Sequence, residues 1–357
     1  MMCAAAVLLV MCVTGATIDA AAEPDDNPIF AADARLELIF QRTARLNSGL
    51  TEGPAAAPDG SIYFTDMPFG PDDQTMIHRY DPKSRRLSVF SSAAGKSNGL
   101  AVDANGCLLA CDGADGGGRC VARWNLQSGE RAVIADRYQG KRLNSPNDLC
   151  VDRKGRIYFT DPRYAGSESR ELKQRSVYRI EPDGKVVRIT HDVEMPNGIV
   201  LSPDERTLYV GDHNNGGNRL SPADPEPQRG AMRLYAFPLA DDGLVNGQRR
   251  TLIDFGQQNG CDGITVDQQG NVYVACRSLE RPGVLVINPD GKELAFVPTG
   301  AAGQEGVFAD WKGIPSNAEF GVGADSHSLY VTIDQELYRI TSKQHGTIPV
   351  WDATKTK

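Results

Sequence analysis

An all-β, six-bladed β-propeller closed by its own N-terminal strand is the fold predicted by three features of the sequence. One segment recurs six times, at intervals of roughly 45–65 residues, the range of propeller blades rather than of helical solenoids. Each copy alternates apolar and polar residues about a polar, mostly Gly-bearing turn, which reads as a hairpin. A further strand-like segment precedes the first copy and has no hairpin partner of its own.

The clearest copy lies within SPNDLCVDRKGRIYFTDPRY, from Ser145 to Tyr164. An Asn-Asp pair follows a proline, an apolar run (Leu149 to Val151) enters a polar turn (Asp152 to Arg156), and a second strand (Ile157 to Thr160) ends on Asp161. The others are EGPAAAPDGSIYFTD from Glu52, NGLAVDANGCLLACD from Asn98, NGIVLSPDERTLYVGD from Asn197, DGITVDQQGNVYVAC from Asp262 and a degenerate NAEFGVGADSHSLYVTI from Asn317. A lone hairpin is marginal in water, so the copies must pack on one another.

Before the repeats, residues 1–22 have an apolar run from Ala4 to Val13 and small residues at Ala20, Ala21 and Ala22. This pattern predicts a signal peptide, although no Lys or Arg precedes the run, and the run is too short to span a membrane. Lipidation at Cys12 is disfavoured by Met11, which stands where a small residue is wanted. Export to the periplasm or beyond is therefore expected. Residues 23–34 read as an unstructured lead-in. Arg35 to Arg42 alternates as a strand and is placed as the outer strand of the last blade, beside Glu336 to Ile340, where closure removes free edges. One propeller is assigned to residues 35–342, with a tail at 343–357 and little helix.

Net charge −8 and a pI near 5.3, with no basic stripe, argue against a nucleic-acid footprint and fit a solvated, mildly acidic surface; a monomer or weak dimer with a small-molecule substrate is expected. Of eight cysteines, six lie beyond the leader: Cys107, Cys111, Cys120, Cys150, Cys261 and Cys276. Six allow fifteen pairings and the sequence does not choose among them. Cys111 and Cys120 bracket a Gly-rich loop and are candidates for a staple, whereas Cys107 and Cys150 read as small buried hydrophobes. No Cys/His spacing points to zinc.

In a propeller the residues that open each repeat and those that close each hairpin converge on one face. The opening set is Glu52, Asn98, Asn147 with Asp148, Asn197, Asp262 and Asn317; the closing set includes Asp66, Asp112, Asp161, Asp212, His213 and Arg277. A ring of carboxylates and carboxamides supplies hard oxygen donors for Ca²⁺ or a similar divalent ion, and a cation relieves the crowding of the acids. The competing explanation is turn chemistry, with Asn-Gly and Asp-Gly chosen for positive φ. It suffices for Asn98 and Asn317 but not for Glu52, which is no turn former. The loop 214–230, rich in Gly, Pro and Asn, rises from the same face and reads either as a lid or as a surface insertion. His78, His191, His327 and His345 belong to no constellation.

The motifs TEGPAAAPDGSIYFTD, YQGKRLNSPNDLCVDRKGRIYFTDPRY, MPNGIVLSPDERTLYVGD and CDGITVDQQGNVYVAC resemble those of the gluconolactonase, senescence-marker-protein and luciferin-regenerating-enzyme family of six-bladed propellers. KRLNSPNDL followed by IYFTDPRY is the most specific part and is most similar to bacterial gluconolactonases. The resemblance implies a Ca²⁺-dependent esterase acting on sugar lactones, with Mg²⁺, Mn²⁺ or Zn²⁺ as alternative ions. It places the metal on Glu52, Asn147, Asn197 and Asp262, and it also implies a substrate role for Asn147, with Asp148 taking part. Two departures bear on substrate: Ala55 to Ala57 replace the aromatic that often follows EGP, and Cys111-Asp112-Gly113 replaces Cys-Glu-His.

The mechanism expected from such an ion is polarisation of a lactone carbonyl and attack by water, with a carboxylate as base. Asp262 is the first candidate base and Asp148 the second. Asn98, Arg163, Tyr164, His213 and Arg277 are candidate substrate contacts, with His213 more readily read as a structural histidine and Arg277 equally as a solvated surface charge or a partner for Asp262. Two other classes stay open from sequence alone: a phosphotriesterase-like hydrolase on the same ring, in which the aspartate acts as nucleophile, and a ligand-binding propeller whose calcium is structural.

Overall fold

The computed structural model describes residues 17–18, 27–42, 49–69, 74–217, 228–305 and 310–353. Each repeat folds into a four-stranded antiparallel sheet, because its β-branched and aromatic residues alternate along strands that short polar turns reverse. Blade 1 is Gly49–Ala56, Ile62–Pro68, Met76–Asp81 and Arg86–Ser91; blade 2 is Ser97–Val102, Leu108–Asp112, Cys120–Trp124 and Arg131–Ala135. Blade 3 is Leu149–Val151, Ile157–Asp161, Ser176–Ile180 and Val186–Thr190; blade 4 is Pro196–Leu201, Thr207–His213, Met232–Pro238 and Arg250–Asp254. Blade 5 is Cys261–Val266, Val272–Cys276, Gly283–Ile287 and Glu293–Pro298.

Blade 6 is Pro315–Phe320, Ser328–Ile333 and Glu336–Thr341, completed by Leu36–Gln41 from the other end of the chain, on whose outer edge Thr17–Ile18 adds a short fifth strand. Leu38 pairs with Tyr338 and Gln41 with Glu336, the closure expected from sequence. Each blade buries one face against its neighbour; Phe40, Phe64, Tyr80, Tyr330 and Leu337 form one such seam, between blades 6 and 1. Helix among the described residues amounts to a 3-10 turn at Gly323–Asp325, the 3-10 residue Asp310 and one α-turn at Val350–Ala353, and none is long and apolar enough to cross a membrane.

The inner strand of every blade but the third carries a bulge where the repeat opens. Register shifts fall between Glu52 and Ala55, Ser97 and Leu100, Pro196 and Ile199, Cys261 and Ile264, and Pro315 and Asn317. A bulge re-aims a side chain without ending the strand. It also corrects the turn-chemistry explanation of the Asn-Gly and Asp-Gly pairs, because Gly99, Gly198 and Gly263 are absent from the positive-φ glycines. These glycines serve close approach. A Cβ on Gly99 would collide with the Asp148 carboxylate, and one on Gly263 with the Asn317 amide.

The aspartates that end the second strands, expected at the open mouth, are consumed in holding the fold. Asp161 accepts hydrogen bonds from the Asn144 and Ser145 amides at 2.8 and 2.7 Å, and Asp212 from those of Glu194 and Met195 at 2.9 and 2.8 Å. Asp112 accepts from Ser97 Oγ at 2.6 Å and pairs with Arg131, and Asp66 pairs with Arg42. Each fixes the segment that enters its blade or the one beside it. The staple across the Gly-rich loop is absent: Cys111 and Cys120 are free thiols. Cys111 pairs with Val121 and Cys120 with Asp112, so their side chains leave opposite faces of the blade and cannot meet.

Residues 27–34 are not an unstructured lead-in. Ile29 and Phe30 are buried against Tyr273, Val284 and Phe320, and the Lys343 amide donates to Ile29 O at 2.7 Å. The described part of the tail continues across the bottom: Gly346 bonds Ser326 O at 3.0 Å, and Trp351 packs with Leu100, Val102 and Trp124. Thr347–Trp351 and the inner strands of all six blades enclose a cavity of about 170 Å³ on the axis. Most of the proposed leader, residues 1–16 and 19–22, lies outside the described residues.

Glu319 lines this cavity, with Oε1 accepting from the Phe320 amide at 2.7 Å and Thr265 Oγ1 at 3.1 Å. Burial outweighs those bonds and raises its pKa to about 7. A carboxyl that holds its proton more tightly folded than unfolded contributes stability at low pH that is lost as pH rises through about 7. Between about pH 5 and about pH 8, the wild-type Tm is therefore expected to fall more steeply than that of Glu319→Gln, by a few degrees over the range, in differential scanning calorimetry. Parallel slopes would contradict the assignment.

Candidate active site

The bulges and the ring closure together deliver the opening residues to one mouth. Glu52 is 4 % exposed, Asp148 6 % and Asp262 7 %. Glu52 Oε2 accepts from the Gly53 amide at 2.8 Å and from Asn317 Nδ2 at 3.1 Å. Asp148 stands where four of the other repeats have glycine, and its Oδ1 accepts from the Leu149 amide at 2.9 Å. Asp262 Oδ2 accepts from Arg277 Nη1 at 2.8 Å, and Arg277 also reaches Pro315 O at 3.3 Å.

The three carboxylates feel one another. Burial, then the charges of Asp262 and Asp148, push the Glu52 carboxyl well above its ordinary range. Burial, with a further contribution from Asp262, raises Asp148 to about 7 against the opposing Leu149 amide. Burial raises Asp262 as well, opposed by Arg277 and Asn197. Three acids confronted by one guanidinium leave negative charge that a low-dielectric mouth cannot solvate.

The carboxamides occupy the spaces between them. Asn147 and Asn197 are buried. Asn197 Nδ2 donates to Tyr164 Oη at 3.1 Å and lies in hydrogen-bonding range of Asp262. Its donor side is thereby used. Tyr164 is anchored in turn on His213 O at 3.2 Å. His213 Nδ1 lies 3.1 Å from Cys261 O, which fixes the tautomer with hydrogen on Nδ1. Burial and Arg277 lower its pKa to about 3, so the ring is neutral and Nε2 is an acceptor.

Of the residues singled out in the sequence, Glu52, Asp148, Asn197 and Asp262 are linked through direct contacts or shared electrostatics, with Tyr164, His213 and Arg277 attached to them. Asn147 adjoins Asp148 and holds its place through its backbone, its amide bonding Thr160 O at 3.0 Å. Asn98 is half-buried and its carbonyl accepts from Thr65 Oγ1 at 3.1 Å. Arg163 is spent elsewhere: Nη1 donates to Asn144 O at 2.9 Å and Nη2 to Glu168 Oε2 at 2.9 Å. Residues 218–227 of the loop read as a lid lie outside the described residues.

Asn317, which turn chemistry seemed to explain, is the residue that sequence reasoning left out of the site. Its amide joins Glu52 to Asp148, through Nδ2 to Glu52 and a side-chain hydrogen bond to Asp148. The available signal was its alignment with Asn98 and Asn197 at the head of a repeat. Ala318 in place of the usual glycine masked it.

Among the described residues no group of three or more His, Cys, Asp or Glu side chains is arranged as a ready metal cluster. A mixed set does fit a hard cation: the carboxylates of Glu52 and Asp262 with the amide oxygens of Asn147 and Asn197 are all oxygen donors, and they sit where charge compensation is missing.

A gluconolactonase of Zymomonas mobilis is 28 % identical over 318 residues, covering 83 % of this chain and 79 % of its own. The structure of a gluconolactonase from Xanthomonas campestris superposes with a TM-score of 0.67 at 29 % identity, over 87 % of this chain and 90 % of that one. A calcium-binding protein, regucalcin, from Agrobacterium tumefaciens shares the fold, with a TM-score of 0.64 at 18 % identity over 87 % of this chain and 95 % of that one. The family model described as the SMP-30/Gluconolactonase/LRE-like region matches residues 50–335, and on that match the chain belongs to the SMP-30/gluconolactonase/LRE-like family.

Proposed function

We propose that the protein is a divalent-cation-dependent lactone hydrolase that opens a sugar lactone or similar cyclic ester with water. The observation that carries this reading is the convergence of Glu52, Asp148 and Asp262 in one buried mouth with carboxamides between them. The gluconolactonases among its relatives support the substrate class, and the calcium-binding relative supports the ion.

Glu52, Asn147, Asn197 and Asp262 would hold the cation, which when bound supplies Lewis acidity toward the carbonyl and compensates the buried acids. Asp148 is the base. Asp262 is the weaker candidate, because the positive charge of Arg277 and the cation it would hold both lower its basicity, whereas Asp148 receives only neutral amide donors. A water loses a proton to Asp148 as its oxygen adds to the carbonyl carbon. The ring C–O bond then breaks, and Asp148 returns the proton to the departing ring oxygen. Arg277 offers N–H donors and neutral His213 an acceptor at Nε2 for the hydroxyls of a sugar ring, with Tyr164 tying His213 to Asn197. The leader read in residues 1–22 supports an extracytoplasmic place of action.

Stripped of metal by a chelator, the full chain should release no protons from D-glucono-1,5-lactone above the spontaneous rate, and one of Ca²⁺, Mg²⁺, Mn²⁺ or Zn²⁺ should restore turnover in a pH-indicator assay. Restoration of thermal stability alone, with no lactone turned over, would contradict the hydrolase reading.

The acid roles separate by substitution. Asp148→Asn should lower kcat by ~10²–10⁴-fold, the usual worth of a general base, while calorimetric titration still shows cation binding. Glu52→Gln should lose that binding. Full turnover in Asp148→Asn would remove it as the base.

A further inference from the structure

We propose that Cys261 and Cys276 are a redox pair that closes a cross-strand disulfide beside the candidate active site. The two are register partners on the inner and second strands of blade 5. The Arg277 amide donates to Gly260 O at 3.0 Å, so Gly260 and Arg277 form the hydrogen-bonded pair and Cys261 faces Cys276 in the non-hydrogen-bonded site. Such partners have Cα atoms about 4.5 Å apart, within the ~4.4–6.8 Å that a disulfide bridges. Both side chains enter one buried cluster, with Ile264, Val274 and Leu285, and so leave the same face of the sheet. The Cys111 and Cys120 pair fails this test.

The other blades indicate what the pair replaces. At the same place the second strand ends in Asp66, Asp112, Asp161 or Asp212, each tied to an entering segment by hydrogen bonds or an ion pair. Blade 6 uses Asp334, one residue later, bonded to the Gly313 and Ile314 amides at 2.6 and 3.0 Å. Blade 5 alone among the described blades has a thiol there, facing a second thiol. The residues that follow them are Asp262 and Arg277, the ion pair at the mouth. A covalent tie at 261–276 clamps the two strands immediately beneath that pair.

The structure holds both cysteines as free thiols, with Cys261 Sγ 3.3 Å from Arg233 O. Oxidation breaks two S–H bonds, gives up that contact and forms one S–S bond. The two electrons and two protons pass to a low-molecular-mass disulfide, which is reduced to its thiols.

The test uses the full chain, both folded and refolded from denaturant in a buffer of oxidised and reduced glutathione, then alkylated under denaturing conditions and mapped by mass spectrometry. The expected result in the refolded sample is a linked pair of peptides carrying Cys261 and Cys276, two fewer alkylated thiols than in the dithiothreitol-treated sample, and a higher Tm that reductant abolishes. Cys276→Ala should lack the reductant-sensitive shift, while Cys111→Ser should retain it. Complete alkylation of every cysteine in both preparations, or a link between other cysteines, would overturn the proposal. Should Cys276→Ala not fold, the wild-type peptide map decides alone.

Discussion

Electrostatic crowding of Glu52, Asp148 and Asp262 is the constraint on which the mouth of this propeller depends. Each acid opens a different repeat, or follows the residue that opens it, and none would meet the others in an open sheet. Closure of the ring through Leu36–Gln41 forces them together. Removing carboxylates from water without full compensation is expensive, and among the described residues the guanidinium of Arg277 is bonded to Asp262 alone of the three. The excess negative charge is the physical reason to read the mouth as a cation site rather than as an assembly of turn residues.

The scaffold answers that crowding with rigidity. Bulges in the inner strands aim the opening residues inward, and Gly99 and Gly263 let neighbouring blades approach closely enough for Asp148 and Asn317 to sit against them. Aspartates at the ends of the second strands fix the segments that feed the mouth. At the other end of the axis the described segments that flank the propeller pack against the blades, Phe30 against Tyr273 and Trp351 over blade 2. Side chains held by packing and second partners keep the geometry that the proposed Lewis-acid chemistry needs.

The fold was legible because repeat spacing and strand alternation are properties of the chain itself, and the unpartnered strand before Glu52 disclosed the closure. Glu52 stood out because turn chemistry cannot explain it. What local sequence could not convey was which face a residue takes after a bulge, or which polar groups are already engaged. Asp66, Asp112, Asp161 and Asp212 looked like mouth residues until their partners were seen. Arg163 looked available but is committed to Asn144 and Glu168. Asn317 was hidden by a degenerate repeat, and the proposed preference for Asp148 over Asp262 as base rests on the contact between Arg277 and Asp262, 15 positions apart, which the sequence offered only as one reading of Arg277. Residues 27–34 read as featureless because two buried side chains, Ile29 and Phe30, are too few to form a periodic pattern.

Anomalous diffraction from crystals grown with Mn²⁺ tests the central claim most directly, since it locates a divalent ion without reference to turnover. The account predicts one strong peak at the mouth, bounded by oxygens of Glu52, Asn147, Asn197 and Asp262. A mouth without a peak while the ion binds elsewhere, or a peak whose ligands exclude Glu52 and Asp262, would contradict it.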